Sequence, residues 1–420
     1  MRILVISTRL NGTDGVSLES LKLVSVLEKV QNHEFFYMAG ELDPALEQTG
    51  KIVPSMHFDT KFARKFTKWY FNRLDAPCDE NELLKQHEAV IEEIKREVIT
   101  FIEENSIEYL ILQNIFAIPM QVSLAIAIKQ VLEETGLPGL AHNHDFFWER
   151  KRFDNPRDFN LIEAHFPPVL DNLKHIVINT KAQTDLKNRR SVDSIVVPNV
   201  FDFAKPPRAD DYHCDLRTRI GLSEDEIFVA QPTRVVERKG IESSVDLLAG
   251  LNARGRKTAL VITHSSGDEG NEYLDKIMRY ADEKGVRIVL CDGIVSDERG
   301  INEKGEKIYS LHDTYHACDF VSYPSVYEGF GNALIETVYF SRPIMVNDYH
   351  VYVDDIKPCG FKFVNIEGGK ITEATLDAVE KYLDDDEYTS ITCAYNYQVG
   401  YKYFSHERLL ELLLAADDRL

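Results

Sequence analysis

Short runs rich in β-branched and other apolar residues alternate along this chain with longer stretches of helical period, and they fall into two separate sets. Such alternation calls for a parallel sheet, because laying each strand beside the last in the same direction requires a crossover, and a helix is its usual form. The first set lies at residues 2–7, 109–112, 139–141, 175–179 and 194–197, and the second at 227–231, 259–263, 287–290, 319–323 and 343–346. At 420 residues the chain is also too long for one ordinary core. The expected fold class is therefore α/β, with two Rossmann-like domains facing each other.

Between the two sets, Pro198, Pro206 and Pro207 and the charged residues Asp202, Lys205, Arg208, Asp210 and Asp211 interrupt any regular element. The hinge is placed there, giving an amino-terminal domain over 1–203 and a carboxyl-terminal domain over 204–403. Residues 407–414 are leucine-rich with helical period and no strand follows, so 404–420 reads as a closing helix packing back on the first domain. Open α/β sheets bind ligands outside the carboxyl ends of their strands, so two facing sheets place the active site in the interdomain cleft.

With 48 basic against 69 acidic residues the net charge is −21, which repels polyanions and argues against a nucleic-acid partner while leaving room for a local anion site. No stretch reaches the roughly 18 apolar residues of a membrane span, and the run after Met1 is too short for a secretory signal. The six cysteines, Cys78, Cys214, Cys291, Cys318, Cys359 and Cys393, show no metal-binding spacing, which fits reduced thiols and a cytoplasmic location. No oligomeric state is legible.

The most informative segment follows the strand at 319–323: Pro324-Ser325-Val326-Tyr327-Glu328-Gly329-Phe330-Gly331-Asn332, then a helical run containing Glu336. Gly329 and Gly331 let backbone approach a ligand, and a helix starting near Asn332 aims unpaired N–H groups and its positive end at that spot, which suits a diphosphate. Glu328 before the helix and Glu336 inside it set two carboxylates at different depths, one for sugar hydroxyls and one for a ribose diol. A tight glycine turn with two solvated glutamates is the plain alternative; the place after a strand and the Pro-Ser and Gly-Phe-Gly context favour function.

This segment resembles the E-x7-E signature of the retaining glycosyltransferase family 4, whose pattern is close to P-S-x-x-E-G-F-G-x-x-x-x-E. The resemblance implies the GT-B architecture, with a nucleotide-sugar donor in the second domain and the acceptor in the first. Residues 198–202 are similar to the family's P-N-G-V-D hinge, with Val200 and Phe201 departing from it. Residues 231–240 resemble the family's strand-end arginine followed by Lys-Gly, which implies that Arg234 and Lys239 grip the donor diphosphate. Two fixed cations would stabilise the charge growing on that leaving group; a surface ion-pair cluster with Glu237 is the alternative. Phe330 and Asn332 join the donor contacts by the same likeness.

In the first half, the loop Asn11-Gly12-Thr13-Asp14-Gly15 lacks the G-x-G-x-x-G of dinucleotide sites. It resembles the family's acceptor-side glycine loop, with Gly15 allowing close approach. The family also carries a histidine at a strand end near the transferring sugar. Both His142 and His144 stand at such a position, and the His144-Asp145 pair favours His144. No further ligands accompany them to make a zinc site, and Asp384-Asp385-Asp386 lies outside every motif, so no metal or other cofactor is expected.

Two basic, aromatic-rich stretches stand out, residues 58–73 with Lys61, Arg64, Lys65, Lys68 and Arg73, and residues 148–153 with Arg150, Lys151 and Arg152. A solvated face is one reading. Another is recognition of an anionic acceptor, with Arg150 and Arg152 as contacts. For 58–73 a third is an amphipathic helix on an anionic membrane, with Phe62, Phe66 and Trp69 or Tyr70 on one side.

The opening, with Asp14 to Glu19 and Ala39 to Asp43, is similar to enzymes that mannosylate glucosylglycerate or its phosphate, which implies GDP-mannose ahead of UDP-glucose as donor and an anionic acceptor. Base choice would lie in loops such as 291–297. A phosphorylase on the same fold is the second reaction type. A silent nucleotide-sugar-binding protein is the other class, which the intact Arg234, Lys239, Glu328 and Glu336 oppose.

Overall fold

Strand β1 (Arg2–Ser7) is so apolar that Ile3 through Ile6 are fully buried, as a strand covered on both faces must be. It lies in a seven-stranded parallel sheet with β2 (Glu34–Ala39), β3 (Gly50–Ile52), β4 (Tyr109–Gln113), β5 (Gly139–Asn143), β6 (Leu173–Val177) and β7 (Ile195–Val196). The order is β3-β2-β1-β4-β5-β6-β7, so the order reverses between β1 and β4, the place where such sheets bind ligands. The computed structural model describes residues 1–12, 15–29, 33–74, 78–264 and 270–420; Thr13 and Asp14 of the glycine loop lie outside them. This sheet belongs to a compact unit of Met1–Asn199 and Glu407–Leu420, and Val200–His406 forms the other.

Helices α1 (Gly15–Leu27), α2 (Lys61–Tyr70), α3 (Glu80–Asn105), α4 (Val122–Thr135), α5 (Phe159–His165) and α6 (Thr180–Arg190) cover the first sheet. Their starts follow local chemistry: Asp79 accepts from the Glu82 amide at 3.1 Å and Asn179 from the Ala182 amide at 2.7 Å. In α2 the aromatic side turns inward. Phe66, Trp69 and Tyr70 are buried in the core with His87 stacked on Phe66, so the face offered by sequence to a membrane is occupied by the protein's own interior. No helix among the described residues is long and apolar enough to cross a membrane.

The second unit repeats the plan. Its parallel sheet contains β8 (Ile227–Gln231), β9 (Thr258–Ile262) and β10 (Arg287–Leu290). A small three-stranded sheet of β11 (Val295–Ser296), β12 (Gly300–Ile301) and β13 (Lys307–Ser310) follows. The main sheet then continues with β14 (Phe320–Tyr323), β15 (Ile344–Asn347) and β16 (Val364–Ile366), in the order β10-β9-β8-β14-β15-β16. The reversal falls between β8 and β14. Its helices are α7 (Leu216–Arg219), α8 (Ile241–Ala253), α9 (Glu272–Lys284), α10 (Leu311–Ala317), α11 (Asn332–Tyr339), α12 (Glu373–Asp384) and α13 (Asp386–Phe404). The Asp384 to Asp386 run is structural: Asp384 pairs with Arg256 and Asp385 caps α13 at the Tyr388 amide.

After α13, helix α14 (His406–Ala416) carries the chain back to the first unit. There Tyr109 Oη donates to Asp417 at 2.9 Å, and Arg419 Nε pairs with the same buried carboxylate at 2.9 Å. Asp417→Ala leaves the buried Tyr109 hydroxyl without its acceptor and is expected to destabilise the first unit by about 1–3 kcal/mol. Urea unfolding followed by circular dichroism checks it, and an unchanged midpoint would show that the bridge contributes nothing. At Gly331, φ is +125° and an added Cβ would lie 2.2 Å from Tyr349 Oη. Gly331→Ala should therefore cost about 2–4 kcal/mol in the second unit, read as a lowered thermal midpoint.

Candidate functional site

Two loops leave the carboxyl ends of β8 and β14 at the second unit's reversal point, and hydrogen bonds stitch them together. The Val326 amide donates to the Arg238 carbonyl at 2.8 Å. Gly240 has φ +60°, and a Cβ there would stand 2.6 Å from the Pro324 carbonyl oxygen, so only glycine lets the Lys-Gly turn lie against the Pro-Ser turn. Beneath, Ser244 Oγ donates to Gln231 Oε1 at 2.7 Å and shares a 2.7 Å contact with Ser322 Oγ. Asn347 Nδ2 donates to the Ser325 carbonyl at 3.1 Å.

The stitched loops bring Lys239 and Glu328 together. Lys239 Nζ pairs with Glu328 Oε1, and Arg238 Nη1 reaches Oε2 at 3.1 Å. Both Lys239 and Glu328 are 8% exposed, so the pair is held out of water. Burial pushes the Lys239 ammonium down, Glu328 pulls it up, and Arg238 and Arg234 add to the depression. Burial would raise the Glu328 carboxyl, yet Lys239, Ser325 and Arg238 outweigh that and hold it below its ordinary value. Arg234 is exposed beside this pair, within electrostatic reach of Lys239. Arg238, which sequence reasoning passed over, is the second cation on Glu328; its adjacency to Lys239 was the available signal.

Helix α11 begins at Asn332 with Gly331 as N-cap, a residue with no side chain of its own to cap the helix. Phe330 is buried, and its carbonyl accepts from Tyr349 Oη at 2.9 Å. Glu336 sits on α11 with Tyr315 Oη donating to Oε2 at 3.0 Å and His312 Nε2 at 3.8 Å from Oε1. The structure thus gathers Glu328, Gly329, Phe330, Gly331, Asn332, Glu336 and Lys239 around one helix start. His264, at the end of β9 and hydrogen-bonded to Thr263 at 2.7 Å, joins them unforeseen; burial lowers its basicity, Asp297 opposes that, and Arg234 and Lys239 add to the lowering.

In the first unit, β4, β5 and their loops carry the second group. His142 is buried, with Nδ1 3.0 Å from Gln113 Oε1, and its ring lies 4.2 Å from that of His144. Burial, and then His144, push His142 well below its ordinary basicity, so it is a neutral ring. The His144 amide donates to Asn114 Oδ1 at 3.1 Å. A cavity of about 200 Å³ opens nearby, lined by Thr8, Arg9, Asn114, Asp145 and Arg150 among others.

Arg150 lines that cavity and pairs with Asp145. Arg152 does not line it; its guanidinium stands 4.7 Å over the Phe153 ring. Gly15 is the exposed first residue of α1, and an added Cβ would meet nothing within 4 Å, so its lack of a side chain answers no crowding there.

One grouping with metal-ligand reach occurs among the described residues, Asp210, His213 and Asp313. Arg299 pairs with both of its carboxylates, so a guanidinium already supplies the positive charge a cation would bring.

No family model matches the chain. Among curated proteins it is 32% identical over 385 residues to the mannosylglucosylglycerate synthase of Petrotoga mobilis, covering 87% of this chain and 86% of that one. It is 31% identical over 443 residues to the synthase of the same name from Thermotoga maritima, covering 98% and 99%. Among solved structures it is similar in fold to a glycosyltransferase from Rickettsia africae, with a TM-score of 0.68 at 12% identity over 99% of this chain and 97% of that one. Anabaena HepE in complex with UDP-glucose gives 0.64 at 14% identity over all of both chains. With the two sheets and this depth of likeness, the chain belongs to the mannosylglucosylglycerate synthase family, a glycosyltransferase of GT-B fold.

Proposed function

We propose that this enzyme transfers mannose from GDP-mannose, with retention of anomeric configuration, to a small anionic acceptor of the glucosylglycerate type. The observation that carries the reading is the buried Lys239–Glu328 pair set beside the glycine-led start of α11, with Arg234 at its edge. A diphosphate matches that combination of cations and amide donors. The shared name of the two curated relatives supports mannose and the glucosylglycerate class. The UDP-glucose bound to HepE makes that donor the second reading. The donor belongs to the second unit and the acceptor to the first. The six unpaired cysteines fit a cytoplasmic setting.

In this mechanism Glu336 accepts from the ribose diol, while Glu328 keeps Lys239 in place and offers its remaining lone pairs to a sugar hydroxyl. His144 contacts the sugar being transferred. The bond from the anomeric carbon to the diphosphate oxygen breaks, and the acceptor hydroxyl oxygen bonds to that carbon on the face the diphosphate is leaving. Its proton passes to a departing phosphate oxygen. Lys239 and Arg234 stabilise the charge left on the diphosphate, and orientation supplies the rest.

A thermal-shift panel of GDP-, UDP- and ADP-sugars is expected to show the largest rise with GDP-mannose, and equal shifts for all three would remove the donor assignment. Glu336→Ala should weaken GDP binding by about 10–100-fold in calorimetry through loss of charged hydrogen bonds. Lys239→Ala is expected to lower kcat/KM by about 100–1000-fold, whereas Glu328→Gln should chiefly slow turnover. Unchanged kinetics in both would take the diphosphate away from this pair. Proton NMR of the product reads the anomeric configuration directly.

A further inference from the structure

The first unit's cavity holds a charge arrangement that the reaction as described does not use. Arg9 enters from the end of β1 with its guanidinium 5.4 Å over the Phe58 ring, which fixes its direction. Arg150 enters from the loop after β5, with its Nε and Nη2 both turned to Asp145 Oδ2. That leaves the Nη1 end of the guanidinium fork for another partner. Asp145 is tied in turn to Asn114, whose Oδ1 receives the His144 amide at 3.1 Å. Burial raises the Asp145 carboxyl despite Arg150, Arg152 and Asn114, so this carboxylate serves as a desolvated tether.

Among the described residues, the guanidinium groups of Arg9 and Arg150 share a cavity of about 200 Å³ with the Asp145 carboxylate, in a chain of net charge −21. Cations gathered at a strand-end cavity raise the local potential for an anion. The hydroxyl of Thr8 and the amide of Asn114 line the same space, which suits a ligand that carries alcohol groups as well as charge.

We infer that Arg9 and Arg150 bind the carboxylate of the acceptor, making this cavity the place where a sugar acid is told from a neutral sugar alcohol. The inference rests on the acceptor reading given above. It deepens that reading by assigning recognition of the acid to Arg9 and Arg150 and leaving Arg152 out. The chain from Arg150 through Asp145 and Asn114 to the His144 backbone then links the anchor for the acid to the strand end assigned to the transferred sugar.

The test is calorimetric and needs no donor, so it stands apart from the question of which sugar is transferred. Glucosylglycerate and its neutral counterpart glucosylglycerol are titrated into the full chain and into Arg9→Gln, Arg150→Gln and Arg152→Gln. The unmodified chain is expected to bind the acid roughly 30-fold or more tightly than the alcohol. That ratio should fall to within about threefold in Arg150→Gln and Arg9→Gln and persist in Arg152→Gln, with alcohol affinity unchanged throughout. Arg150→Lys keeps the charge without the fork and should recover part of the ratio. Equal binding of acid and alcohol by the unmodified chain, a ratio preserved in Arg150→Gln, or no binding of either compound would each overturn the inference. Transfer of a hexose to some other acceptor would in those cases leave the glycosyltransferase assignment intact.

Discussion

A lysine and a glutamate held together out of water are the point on which the second unit's site depends. Neither charge would be tolerated alone at 8% exposure, because an unpaired buried ion loses several kcal/mol of hydration. Each therefore requires the other, and the requirement falls on the backbone: the loop after β8 and the loop after β14 must meet within hydrogen-bonding distance. The Val326 amide bonded to the Arg238 carbonyl and the bare Cα of Gly240 against Pro324 meet that need. The network of Gln231, Ser244 and Ser322 below them keeps the strand ends level. On the proposed donor reading, a charge pair so fixed would meet the diphosphate already oriented, which is where electrostatic stabilisation gains over the same groups in water.

Much of this was legible because the strands that matter most are buried on both faces and so read as continuous apolar runs. β1, β4, β8 and β14 all stand where such runs were placed, and the E-x7-E segment follows β14 as its spacing required. β2 went unread although it is central enough to pair along β1, because its Glu-Phe-Phe-Tyr-Met-Ala lacks β-branched residues. β3 and β16 are three residues each, and β11 and β12 only two; their existence is a tertiary fact that no local period records. The amphipathic pattern of α2 was real, but periodicity says only that one side is apolar. What that side meets, here Phe66 under His87 and the β-sheet core, is decided by distant parts of the chain.

The site shows the same division. Glu328, Glu336, Lys239 and the two glycines carry a spacing that can be recognised in one dimension. Their supports do not: Tyr315 reaches Glu336 from another helix, Tyr349 braces the Phe330 carbonyl from beyond β15, and His264 comes from the end of β9. Each is an unremarkable residue in sequence whose role exists only once crossovers bring strand ends together. Arg150 and Arg152 illustrate the converse, since adjacent cations that look interchangeable in sequence are separated by the backbone, one lining a cavity and the other lying over Phe153.

Net charge gives these placements their force. A surface with 21 surplus negative charges raises the energy of any approaching nucleotide sugar or organic acid, and that long-range repulsion is screened within roughly 10 Å at ordinary ionic strength. Capture of an anion must then rest on short-range cations that are desolvated and fixed, because mobile surface lysines would be neutralised by the acidic groups around them. Lys239 is fixed by Glu328, Arg150 by Asp145 and Arg9 by the Phe58 ring. In the first two cases the partner carboxylate takes only part of the donor set, so a tether that costs some positive potential supplies the direction an incoming anion needs. The acidic bulk and the small cationic sites are therefore complementary: the first discourages indiscriminate polyanion binding, and the second admits ligands small enough to sit inside one cavity.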